Sequence, residues 1–139
     1  MEIAPLRTIA VGYDGSQDSE SAVRWAAQLA VSVGARLVVV HAVGLLEGSG
    51  MFRRHPDSTV ALEATSSVGM EPARTQWLVL DGDPCSVLLR VARPPTSADL
   101  LVVGTRGAGK HSGTILGSTS LELAEAAEGP LVIVPMGEA

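Results

Sequence analysis

Two spacings of apolar residues alternate along this chain. Residues 6–11 (LRTIAV) form a short apolar run that predicts a strand. It breaks at Gly12-Tyr13-Asp14-Gly15-Ser16, a turn-rich segment in which Ser16 is placed to cap a helix, with Asp18 and Glu20 in the first turn where negative charge suits the helix dipole. Ala22, Ala26, Leu29, Ala30 and Val33 then fall on one helical face, and Gly34 is a natural stop. Arg36–Val43 (RLVVVHAV) predicts a second strand, apolar on both faces. Between residues 44 and 56 the pattern dissolves into a glycine-rich loop carrying the basic cluster Arg53-Arg54-His55. Residues 57–68 predict a short helix with Val60, Ala61, Ala64 and Val68 inward, and residues 75–80 (TQWLVL) a third strand. Asp83-Pro84 pairs an N-cap residue with a proline at the first helical position, opening a helix to about Ala92 that Pro94-Pro95 terminate. Residues 100–103 predict a fourth strand. A long loop and a last helix follow, in which Thr119 and Glu122 have capping-box spacing. Gly129-Pro130 ends that helix, and Leu131–Val134 predicts a fifth strand closed by Pro135.

Strand and helix alternating five times over imply right-handed crossovers: an α/β fold with a five-stranded open parallel sheet and helices on both faces. Ligands in such sheets sit at the carboxyl ends of strands, near the reversal of strand order. The composition agrees. With 46% hydrophobic residues but only 3% aromatic, the core must be built from Ala, Val and Leu, which suits close-packed helices on a parallel sheet. At 139 residues, with no linker or repeat, the whole of residues 1–139 is expected to form one domain. A net charge of −5 argues against a nucleic-acid or anionic-membrane surface. No apolar run approaches the roughly 20 residues of a membrane helix, and the first residues lack the basic and apolar regions of a signal peptide. The one cysteine, Cys85, fits a reducing compartment, so the expected location is cytoplasmic.

The chemistry concentrates after the fourth strand. Glycines recur as G104-x2-G107-x9-G117-S118, with Gly109 and Gly113 between them and Arg106, Lys110 and His111 as cations. Glycines let backbone N–H groups approach an anion, and the helix opening at Gly117-Ser118-Thr119-Ser120 adds free N–H groups and partial positive charge, the parts of a phosphate site. A plain connection between strand and helix is usually much shorter. Two better-known phosphate motifs fail. Gly104 to Lys110 has P-loop spacing, but His111 stands where a magnesium-ligating hydroxyl belongs, and the next strand ends in Pro135 and not in an aspartate. Gly107, Gly109 and Gly113 give G-x-G-x3-G, not the dinucleotide fingerprint, and do not follow the first strand. Asp14 reads equally as a ribose- or metal-binding carboxylate and as a turn aspartate. The backbone of His41, Ala42 and Val43 could read an adenine edge, whereas the His41 side chain reads as a packed residue. His41, His55 and His111 have no metal-ligand spacing. Cys85 has no Cys/His partner motif, and Trp25 and Trp77 read as packing residues.

On these residues the chain resembles the universal stress protein family over essentially its whole length. The matching pieces are AVGYDGSQDSESAVRWAAQLA, LVVVHAV, LVLDGDPCSVLLRVA, ADLLVVGTRGAG and GSTSLELAEAAEGPLVIVP. The glycine spacing is that of the family's ATP-binding subclass. The resemblance implies a Rossmann-like five-stranded fold, ATP with or without Mg2+ as ligand, and a homodimer formed through Leu131–Val134. It further implies that Asp14 and the Gly12 region contact ribose and adenine, that the Ala42 backbone contacts adenine, and that Val103 and Gly104 flank the sugar. Gly107, Gly117, Ser118, Thr119 and Ser120 would surround the phosphates, with Arg106 at a variable position. By that standard the segment of residues 44–74 is short, which predicts a reduced helix there. The function implied is a nucleotide-dependent stress-response regulator or sensor. No general base or paired carboxylate equips it for fast hydrolysis. The alternatives are a nucleotide-independent dimeric interaction module of the same fold and, third, a nucleotide hydrolase or phosphotransferase.

Overall fold

The computed structural model describes residues 5–43, 58–105 and 116–135. The elements run β1 (Thr8–Gly12), α1 (Gln17–Val33), β2 (Arg36–Val43), α2 (Ser58–Ser67), a short 3-10 turn at Pro72–Arg74, β3 (Thr75–Asp81), α3 (Pro84–Val91), β4 (Leu100–Gly104), α4 (Ser118–Ala126) and β5 (Leu131–Val134). The five strands form one sheet in the order β3-β2-β1-β4-β5, with every pairing parallel. The chain winds outward from β1 in one direction to β3, then returns to the other side of β1 for β4 and β5. Strand order therefore reverses between β1 and β4.

Alternation along the strands divides the core into two layers. Ile9 and Val11 of β1, Leu37 and Val39 of β2, and Val102 of β4 pack with the buried faces of α1 and α2. Ala10, Val38, Val40, Leu101 and Val103 pack on the opposite side with Val87, Leu88 and Val91 of α3 and Leu123 of α4. The central strands are buried on both faces, which is why their sequences read as continuous apolar runs. α1 presents Ala22, Val23, Ala26, Ala27 and Ala30 to the sheet, so its axis lies close to the strands. Its ends are those expected. Ser16 accepts from the Ser19 N–H at 3.1 Å, and Gly34 closes the helix in the left-handed conformation at φ 73°. The Arg74 guanidinium donates to the Gly34 carbonyl at that end. In α3, Asp83 caps by accepting from the Ser86 N–H at 3.0 Å, and this bond holds its carboxyl below the usual aspartate range.

Four expectations fail in detail. The last helix has no capping box: α4 starts at Ser118 with Gly117 as N-cap and no side-chain cap, which puts Thr119 inside the first turn. Val33 and Val60 are 45% and 39% exposed, because α1 and α2 turn these two valines outward while Ala22, Val23, Ala26 and Ala30 of α1 and Ala61 and Ala64 of α2 meet the core. Trp25 is likewise 36% exposed on α1 and is not a packing residue. By contrast Trp77 is half-buried and packs edge-to-face on Tyr13, with ring centroids 5.8 Å apart. The short helix expected before β3 is present as α2, ten residues long.

One contact sets how α1 meets the sheet. A Cβ added at Gly104 would lie 2.7 Å from the Asp18 carbonyl oxygen, a backbone atom with nowhere to go. Gly104 therefore lets the first turn of α1 rest directly on the end of β4. Gly104→Ala should cost about 1–3 kcal/mol through overpacking. A lowered midpoint in urea denaturation is the expected reading, and an unchanged midpoint would show that α1 has room to retreat.

Candidate functional site

The sheet's topology leaves a crevice beyond the carboxyl ends of β1 and β4, where the chain leaves the two strands for helices on opposite faces, as expected at a reversal of strand order. It is a cleft of about 430 Å³. Its base is formed by Gly12, Tyr13 and Asp14 after β1, Val40, His41 and Ala42 on β2, and Val103 and Gly104 on β4. One wall is α3, through Pro84 and Leu88. The other is the first turn of α4, through Gly117, Ser118, Thr119 and Ser120, with Ser19 of α1 adjoining.

Each wall has a physical reason. At Gly12 an added Cβ would stand 3.1 Å from Leu88 Cδ1 and 3.5 Å from Val103 Cγ1, so a side chain there would crowd the floor. The β1 turn is pinned to β2 by the Tyr13 N–H donating to the Val40 carbonyl at 2.9 Å. His41 Nδ1 lies 3.1 Å from the Tyr13 carbonyl oxygen, so the ring is buried and packed, as the sequence predicts. Asp14 stands exposed at the mouth. Its Oδ1 accepts from the Ser16 N–H at 2.9 Å and its own N–H donates to Ser19 Oγ at 3.2 Å. The turn reading of Asp14 is thus observed, while the same residue lines the cleft.

The α4 end is electrostatically distinct. The first N–H groups of a helix lack intrahelical acceptors and carry its partial positive charge. The N-terminal residues Ser118, Thr119 and Ser120 all line the cleft. Ser118 is exposed and Thr119 half-buried, whereas Ser120 is buried with its hydroxyl donating to the Gly104 carbonyl at 2.7 Å. Its hydroxyl therefore ties α4 to β4, and only its main-chain N–H is left for the cleft. The arrangement has an apolar side, formed by Leu88, Val40 and Val103, and an anion-favouring end at α4. Among the described residues no group of three His, Cys, Asp or Glu side chains could hold a metal ion.

Of the residues singled out in the sequence, Gly12, Asp14, Ala42, Val103, Gly104, Gly117, Ser118, Thr119 and Ser120 come together around this one cleft. Arg106 and Gly107 lie outside the described residues, as do Gly109, Lys110, His111, Gly113 and the Arg53-Arg54-His55 cluster. Sequence reasoning missed Tyr13, Ser19, Val40, Pro84 and Leu88 as lining residues. Pro84 carried a readable signal as the start of α3, but which helix turn overhangs the cleft follows from packing. No helix among the described residues is long and apolar enough to cross a membrane.

The sequence pattern of the universal stress protein family matches residues 5–135, and the chain belongs to that family. A universal stress protein of Thermus aquaticus is 34% identical over 138 residues, covering 93% of this chain and 98% of the relative. One from Mycolicibacterium smegmatis is 30% identical over 91% of this chain, which spans only about half (47%) of that longer protein. Among solved structures, a universal stress protein in complex with cAMP superposes with a TM-score of 0.74 at 27% identity, covering 96% of this chain and all of the other. A universal stress protein from Archaeoglobus fulgidus in complex with dAMP shares the fold, with a TM-score of 0.66 at 21% identity over 94% of this chain and 99% of that one.

Cys85, beside Pro84 on α3, is buried. Desolvation, then the negative charges of Glu122 and Asp83, push its thiol above the ordinary value. Iodoacetamide should label the native protein at neutral pH far more slowly than the urea-unfolded chain. Equal rates would show that the thiol is open and reactive.

Proposed function

We propose that the cleft is an adenine-nucleotide site with ATP as its ligand. The protein would then act as a nucleotide-dependent stress-response regulator or sensor, with at most slow hydrolysis. The observation that carries this reading is the meeting, in one cleft, of an apolar slot and the N-terminus of a nine-residue helix. The slot suits a planar base between Leu88 and the β2 end, where the Ala42 backbone meets the adenine edge. Gly12 and Asp14 face adenine and ribose, and Val103 and Gly104 flank the sugar. Ser118, Thr119 and Ser120 meet the phosphates through main-chain N–H groups and the Ser118 and Thr119 hydroxyls, and Gly117, whose own N–H is held by the Thr105 carbonyl, leaves room for them by having no side chain. Gly107 and, at its variable position, Arg106 are assigned to the phosphates by sequence motif alone. The relative solved with cAMP supports the adenine-nucleotide class. Any Mg2+ would ride on the phosphates, because among the described residues the cleft lines up one carboxylate, Asp14, and not a cage of them.

The working unit under this reading is one cytoplasmic domain spanning residues 1–139 that pairs with a second copy. The support for pairing is the β5 edge: among the described strands β5 pairs with β4 on one side and ends the sheet, and Leu131, Val132 and Ile133 are half-buried. Neither nucleic acid nor membrane is a partner at this net charge of −5. No described base stands ready for hydrolysis, since His41 is packed against the Tyr13 carbonyl and Asp14 Oδ1 is engaged by Ser16.

Denaturing freshly purified protein and running the released small molecules on anion exchange with mass detection should yield ATP. ADP in its place would point to turnover, and an empty result in both this assay and an ATP titration would favour the interaction module. Gly117→Val should abolish ATP binding with the circular dichroism spectrum intact, since Gly117 sits at φ −74°, a conformation open to any residue. A wild-type titration for that variant would remove Gly117 from the site. Light scattering at micromolar concentration should return twice the 14.3 kDa chain mass, and a monomer mass would count against the β5 interface.

A further inference from the structure

Two polar residues beside the cleft, Asp18 and Thr105, are not among the residues that line it. Asp18, in the first turn of α1, is fully buried. A carboxylate is rarely buried unless it is hydrogen-bonded. Its Oδ2 accepts from Thr105 Oγ1 at 3.1 Å. Thr105 directly follows β4 and bonds through its main chain as well. Its carbonyl accepts from the Gly117 N–H at 2.6 Å, and its N–H donates to the Val134 carbonyl at 3.1 Å. Thr105 is thus tied at once to α1, to the N-cap of α4 and to the end of β5. The Ser120 hydroxyl on the Gly104 carbonyl, at 2.7 Å, adds a second strut to the same joint.

We propose that Asp18 and Thr105 are positioning residues for the anion-facing end of the cleft: the buried carboxylate holds Thr105, and Thr105 holds Gly117, so that α4 presents its first N–H groups at the right place. The inference rests on the nucleotide reading of the cleft and extends it to two residues that do not touch the ligand. The reason lies in the geometry of α4. Its N-cap has no side-chain cap. α4 meets the sheet through one fully buried apolar side chain, Leu123, and most of its surface is exposed. A helix so lightly anchored owes the placement of its N-terminus to the polar joint. Anion binding by N–H groups depends steeply on that placement, because each contact needs a donor within about 3 Å and well aligned. Asp18 also lies in the first turn of α1, where a carboxyl group suits the positive end of the helix.

The joint predicts an effect on one end of the ligand only. The base and sugar would meet β1, β2 and β4, which are held by sheet bonding. Thr105→Val keeps the shape and removes the hydroxyl. It should weaken ATP binding about tenfold, the size of one hydrogen bond, while adenosine binds as to wild type. Thr105→Ser should restore ATP affinity. Asp18→Ala should weaken ATP binding at least as much as Thr105→Val, and in the Asp18→Ala background Thr105→Val should cost little more, because the two side chains share one bond. A parallel fall in ATP and adenosine affinity that tracks the melting temperature would reduce the pair to ordinary fold stability and overturn the proposal. So would wild-type ATP affinity in Thr105→Val.

Amide hydrogen exchange reads the joint without any nucleotide. The Gly117 N–H, which bonds Thr105, and the Leu121 N–H, which bonds the Gly117 carbonyl at 3.1 Å, should exchange faster in Thr105→Val, with β1 unaffected. Unchanged exchange at Gly117 overturns the proposal. If wild type binds neither ATP nor adenosine, the nucleotide reading fails by itself, and the exchange at Gly117 still decides whether Asp18 and Thr105 position α4.

Discussion

The carboxyl edge of this sheet depends on how closely α1 rests on β4. Gly104 has no side chain, so the Asp18 backbone can sit where a Cβ would otherwise be. That approach brings the Asp18 carboxylate within reach of the Thr105 hydroxyl, and Thr105 in turn reaches the N-cap of α4. A looser α1 would part the carboxylate from the hydroxyl that it holds. The same glycine that begins the sequence motif is therefore a packing residue first. Its backbone lines the cleft as a result of that packing.

The two sides of the cleft are built by different physics. The base and the α3 wall rest on apolar burial: Val40, Val103 and Leu88 belong to one core layer that continues down to Val91 and Leu101. Gly12 stays small because Leu88 and Val103 close over it. The opposite wall is polar and rests on hydrogen bonds between chain segments far apart in sequence, from Ser120 to Gly104 and from Thr105 to Asp18. An apolar slot next to a helix N-terminus is complementary to a ligand that is flat and apolar at one end and anionic at the other. The universal stress protein family, to which this chain belongs, includes a member solved with cAMP, a molecule of that kind.

Much of the fold was legible because its signals are local. The runs at β2 and β5 are bounded by turn residues and match the observed strands end to end. Ser16, Gly34 and the Asp83-Pro84 pair cap helices through bonds within a few residues, so their roles follow from spacing alone. The Thr119–Glu122 pair misled for an instructive reason. Its spacing is that of a capping box, but the chain enters α4 two residues earlier, where Gly117 is held by Thr105. A contact with a residue twelve positions away overrode a local preference.

The sequence by itself determined the alternation of strands and helices, the glycine-rich segment after the fourth strand, and nine of the residues that meet at the cleft. Those follow from the period of burial and from backbone rules that act over a few residues. Only the tertiary structure decided that Val33 turns outward on α1 while Val23 and the alanines face the core, that Leu88 and Pro84 overhang the slot, and that Asp18 is buried. Each of these depends on how far a helix rolls and how closely it approaches the sheet. That is settled by side chains on other elements, and no stretch of a single helix encodes it.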